Sequence, residues 1–132
     1  MKQITKLMIN EFKIKQLGYD FMGFTIDKLS DCTAHHLIIP NRNGGKLVRW
    51  NMSILNGTSS HPYLHLIESK DYDIFCAITS EMIDMNVKGY LDVDNLRHIH
   101  SLLEQFEREH CSDRNKKGKL LIKEEYTKRK SF

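Results

Sequence analysis

The 132-residue chain is 40% hydrophobic and 28% charged, proportions of an ordinary globular domain rather than of a disordered or fibrous one. Its formal charge of +3 is unevenly divided: Arg114–Lys130 carries eight Lys/Arg against Glu124 and Glu125, so the rest of the chain is slightly acidic. No apolar run approaches the ~20 residues a membrane-spanning helix needs, and three scattered cysteines without a CxxC pair exclude a disulfide framework.

The charged stretch Met1–Lys15 does not read as a signal peptide, so the reducing cytoplasm is the expected setting. One domain is expected over residues 1–132. Within it, an N-terminal helix and a possible strand occupy 1–30, a central unit 31–68, a helical pair 69–111 and a basic C-terminal arm 112–132. Ile4, Leu7, Met8 and Phe12 stand at helical spacing in residues 3–17, and Leu17-Gly18 predicts the helix end. Residues 19–29 alternate in part and suggest a strand. Residues 33–40 predict a strand closed by Pro40. Asn43-Gly44-Gly45 then predicts a turn, with Lys46–Trp50 returning as the second strand and Trp50 anchoring the hairpin in the core.

The Asn56–Ser60 segment supplies caps for a short helix over His61–Ile67, with Pro62 in its first turn. A second helix is expected from about Lys70 to Asn86, capped by Ser69, presenting Ile74, Phe75, Ile78 and Met82 to the core and ending at Gly89. Met82 and Met85 read as core filler. A third runs from about Asp92 to His110, capped by Asp92, with Leu96, Ile99, Leu103 and Phe106 as its apolar stripe. The fold class is α+β, and the arm beyond Ser112 is expected to be loose.

Four of the seven histidines fall in one ordered constellation: His35-His36, Gly44-Gly45, Asn51, then His61-x-x-x-His65. On a helix, His61 and His65 share a face, so both imidazoles can reach one metal ion. On a strand, His35 and His36 point to opposite sides, so only one of them joins that ion. An imidazole titrates near neutrality and can take a proton at cellular pH.

This order, HH…GG…N…HxxxH over Thr33–Ile67, resembles the HNH nuclease motif, and is especially similar to its version in nuclease colicins. The resemblance implies a ββα-metal centre packed against flanking helices. It implies His36 as the general base, and His35, His61 and His65 as ligands of one divalent metal ion. Asn51 would hold the loop and orient His36. The implied activity is metal-dependent hydrolysis of DNA phosphodiester bonds with low sequence specificity, the chain showing no recognisable reading module. Three imidazoles favour Zn²⁺, Mn²⁺ or Ni²⁺ over Mg²⁺. HNH proteins of this size are frequent in phage genomes. A phage or prophage source would put the protein in the bacterial cytoplasm, with a phage or host protein supplying targeting.

Arg42, Lys46 and Arg49 flank the expected centre and would position a phosphate backbone. Lys116, Lys117 and Lys119 would add a basic handle on the arm. Glu68 and Asp71 read as helix-capping or solvated carboxylates ahead of groups that steady a ligand imidazole. Cys32 reads as a buried thiol, and His98, His100 and His110 lack partners that would give them a role. The rival reading is a non-catalytic HNH-like phage protein that binds and inhibits or regulates a host or defence nucleic-acid enzyme, its helical pair forming the binding surface.

Overall fold

A computed structural model describes residues 1–39, 43–46, 48–110, 114 and 116–132, without the side chains of Glu124 and Glu125. The N-terminal hydrophobic spacing makes two helices where one was expected: α1 spans Gln3–Glu11 and α2 Ile14–Leu17. They are separated at Lys13, which takes the left-handed conformation at φ 57°. The break has a packing cause. Phe12 and Ile14 are both buried, yet a continuous helix would set residues two apart on opposite faces.

Residues 19–29 form no strand. Phe21, Met22 and Phe24 all point inward, which an alternating strand cannot do. The segment is held instead by the Asp20 carboxylate, which accepts from the backbone N–H groups of Met22 (2.9 Å) and Phe24 (3.0 Å).

The sheet is a two-stranded antiparallel pair, β1 (Cys32–His36) and β2 (Met52–Asn56), in a register that sets Cys32 opposite Asn56 and His36 opposite Met52. The first strand is shorter than predicted, and the return strand starts beyond Lys46–Trp50; Arg49–Asn51 is a 3₁₀ turn. Asn51 explains the shift. Its side chain accepts from the N–H groups of Ile38 (2.9 Å) and Ile39 (2.8 Å), and donates to the carbonyls of Ile39 (2.9 Å) and Lys46 (3.2 Å). A buried side chain thus satisfies backbone groups that a ladder would otherwise pair. Asn51 is turned inward and Trp50 outward, so Trp50 is exposed rather than a core anchor. Pro40 lies outside the described residues.

Three helices follow: α3 (Ser60–Lys70), α4 (Tyr72–Lys88) and α5 (Val93–His110). The cap of α4 is Asp71, which accepts from Ile74 N–H, and not Ser69, whose hydroxyl donates back to Leu66 in the last turn of α3. Gly89 closes α4 at φ 85°, and Asp92 accepts from Asp94 N–H at the start of α5. Ile78, Met82 and Met85 meet Leu96, Ile99, Leu103 and Phe106 in a fully buried seam. The fold is α+β.

The basic C-terminal segment is not loose over its length. Tyr126 stacks on Tyr63 of α3 with ring centroids 5.8 Å apart. Arg129 makes two 2.8 Å bonds to Glu107 of α5, and Phe132 packs edge-on against Tyr19. Apolar residues interleaved with the lysines turn residues 122–132 into a strap across the body. The expected boundary at Ser112 lies outside the described residues. Among those residues, no helix is long and apolar enough to cross a membrane.

Candidate metal centre

The antiparallel pair and α3 bring His35, His61 and His65 together. Their ring centroids are 5.0–5.4 Å apart, and one ligand nitrogen from each lies within 4.8 Å of the others. His35 is buried, His61 half-buried and His65 exposed, so the cluster opens outward along α3. The turn between β2 and α3 passes close to β1 at Gly57. A Cβ there would stand 2.7 Å from Thr33 Cγ2 and 2.8 Å from the Asp31 carbonyl.

That approach orients the rings. Thr33 Oγ1 lies 2.7 Å from His61 Nδ1 and points its own proton toward the Leu55 carbonyl at 3.4 Å. The hydroxyl therefore accepts from Nδ1–H and leaves the His61 Nε2 lone pair available. His65 Nδ1 donates to Glu68 Oε1 at 3.2 Å, which fixes the same tautomer; a carboxylate behind a ligand imidazole is a common support of metal sites. Glu68 thus has a ring as its partner while remaining partly open to solvent.

Burial first, and the neighbouring imidazoles second, hold His35 down at about 3 and His61 at about 4. Both rings are neutral at neutral pH, the form a metal requires. His35 Nε2 is buried with no hydrogen-bond partner, and a buried nitrogen without a partner is costly in a purely structural role. The donor set therefore fits a borderline transition metal ion better than Mg²⁺.

His36 lines the same cleft, of about 330 Å³, with its Nε2 also buried and without a partner. Asn51 acts differently from the expected orientation of His36. Its hydrogen bonds go to the backbone of Ile38, Ile39 and Lys46, so it fixes the loop leaving His36 and not the ring. Cys32 is buried, and burial followed by the charges of Asp20 and Asp31 pushes its thiol up to about 11, an inert group.

The expected phosphate-binding residues are dispersed. Arg49 grips Glu11 with its Nε and Nη2 at 2.7–3.1 Å and lies over the Phe12 ring, so its guanidinium is engaged away from the cluster. Lys46, Lys116, Lys117 and Lys119 are exposed. None of them lines the cleft. Arg42 lies outside the described residues. Another close group, Asp71, Glu109 and His110, contains the α4 cap and is accounted for as surface pairing.

Sequence reasoning missed two residues. Thr33 carried one usable signal, since residue i−2 shares the strand face of His35. Asp20 carried none. It is fully buried, accepts from Asn56 N–H at 2.8 Å and from the Ser60 hydroxyl, and so anchors the first residue of α3. Comparison with protein-family models, curated protein sequences and solved structures returned no match.

Proposed function

We propose that the chain is a metal-dependent HNH-type endonuclease that hydrolyses DNA phosphodiester bonds at a ββα-metal centre formed by β1, β2 and α3. The observation that carries this reading is the convergence of three imidazoles, His35, His61 and His65, beside a fourth, His36, that takes no part in their cluster. His35, His61 and His65 would hold one divalent metal ion. Such an ion supplies Lewis-acid stabilisation of charge on a phosphate.

The remaining roles belong to side chains. Thr33 and Glu68 keep Nδ1 of His61 and His65 occupied, so both rings stay in the tautomer that offers Nε2. Asn51 holds the backbone at Ile38, Ile39 and Lys46 and thereby the direction in which β1 delivers His36. His36, which lines the cleft, would take the proton of an attacking water.

The test is nicking of supercoiled plasmid by the purified chain with Mn²⁺, Zn²⁺, Ni²⁺ or Mg²⁺. Chelator-sensitive nicking is expected, and His36→Ala should lower it by about 10²–10⁴-fold while the protein stays folded. Plasmid and a single-stranded oligonucleotide both left intact with all four ions overturn the enzyme reading. One feature favours the rival binding protein. Trp50, Val87 and Tyr90 are 55%, 80% and 55% exposed, on two segments that Asn86 joins through its bond to the Arg49 carbonyl. Failure of the cleavage assays would direct attention to those exposed side chains.

A further inference from the structure

The imidazole cluster is one end of a longer aromatic run. His35 meets the Phe75 ring edge-on at 6.4 Å, and Phe75 is stacked with Tyr72 at 5.6 Å and 26°. The run passes from the buried ligand to the surface: Phe75 is 9% exposed and Tyr72 62%. Ile38, from the loop fixed by Asn51, lines the same cleft and is 55% exposed. Ile38 and Tyr72 thus give the cleft an open apolar wall facing its imidazoles, the mixed lining of a ligand site.

We propose that this cleft takes a single-stranded segment of DNA, with one unstacked base resting on Tyr72 and against Ile38 while the adjoining phosphate faces the imidazoles. The proposal rests on the nuclease reading and narrows it to a substrate class. Two features separate a single strand from a duplex. Bases within a duplex are stacked on one another and reach an aromatic side chain only by flipping out. Duplex affinity also comes mainly from Lys/Arg contacts to phosphates. The described residues lining the cleft include neither Lys nor Arg. Stacking on an aromatic face works for any base, in keeping with low sequence specificity.

The test uses the full chain with Mn²⁺ and a single-stranded oligonucleotide carrying 2-aminopurine, alone or annealed to its complement. Binding is followed by fluorescence quenching, cleavage on a gel and Mn²⁺ affinity by titration. The single strand should bind at least about tenfold tighter than the duplex. Tyr72→Ala should weaken that binding about tenfold or more, Tyr72→Phe should retain it, and neither should change Mn²⁺ affinity. Equal binding of both forms, or quenching indifferent to Tyr72→Ala, overturns the proposal. The two readings fail separately. Tyr72-dependent quenching without any cleavage upholds the platform and removes the nuclease; duplex cleavage indifferent to Tyr72→Ala upholds the nuclease and removes the platform.

Discussion

Ser60 and His61 are neighbours in the chain, yet they belong to polar centres of opposite kinds. Ser60 donates to Asp20, whose carboxylate also receives the N–H groups of Met22, Phe24 and Asn56. Every acceptor site there is used by the chain itself. His61 joins His35 and His65, where Nδ1 atoms are paired outward and the buried His35 Nε2 is left without a partner. Burial perturbs both centres. It raises Asp20 to about 6 and lowers His35 to about 3. A perturbed group is therefore not in itself a sign of function; the sign here is an unpaired buried nitrogen that stands within a cluster of ligand-type groups. The Tyr63–Glu107–Arg129 cluster makes the same point, since the Tyr63 hydroxyl at 2.6 Å and both arms of Arg129 close on one carboxylate.

Removing the closed centre should cost stability and removing the open one should cost binding. Asp20→Ala orphans the N–H groups of Met22 and Phe24 in a fully buried loop. At about 1–3 kcal/mol for each unpaired buried donor, a loss near 4 kcal/mol is expected, measured as a drop in the urea midpoint. His61→Ala should leave the urea midpoint of the metal-free protein within about 1 kcal/mol, because a half-exposed ring is removed. It should nevertheless weaken Zn²⁺ affinity by at least about 100-fold in a competition titration, more than loss of a supporting residue costs. If His61→Ala unfolds the protein while Zn²⁺ has no effect on the wild type, the cluster is structural and the contrast collapses.

Glu68→Gln tests the outward pairing by itself. The amide still reaches His65 Nδ1 but no longer offers a charged acceptor on both oxygens, so the ring is held less firmly. Zn²⁺ affinity should fall about tenfold with the urea midpoint unmoved. Unchanged affinity would mean that Glu68 only decorates α3.

The contrast between the centres also decides what was legible in the sequence. The histidine cluster was readable because its geometry is local: i, i+4 on a helix and adjacent residues on a strand fix directions without knowledge of the fold. The three long C-terminal helices were readable for the same reason, within two residues at most ends. Asp20 was not, since its four partners come from its own loop, from β2 and from α3. The return strand was misplaced because Asn51 substitutes a side chain for a ladder. Phe12 and Ile14, both needing the core, broke a helix whose spacing looked continuous. The C-terminal strap was hidden by its charge: Tyr126, Arg129 and Phe132 are packed, but counting lysines draws attention to the solvent. Glu68 was legible as a candidate for the contact it makes with His65 and ranked second, because a carboxylate three residues beyond a histidine is ordinarily solvated.

The smallest expected effect is a pH slope, and it separates the centres by sign. Asp20 is raised from 3.8 to about 6 in the folded protein. Between those values the folded state holds a proton that the unfolded chain has released. Stability from this group is therefore present below 3.8 and lost as pH rises through 6. Metal-free His35 and His61 are lowered, so their contribution is present above 6.5 and lost as pH falls. Acidification from pH 7 to 5 thus draws on opposing terms. Asp20→Asn removes the one that stabilises on acidification and leaves the histidines unchanged. The variant should lose stability more steeply than the wild type over that interval, by about 1 kcal/mol, in urea midpoints taken at pH 7, 6 and 5 without metal. Parallel profiles would mean that Asp20 stays ionised throughout, its four donors outweighing its burial.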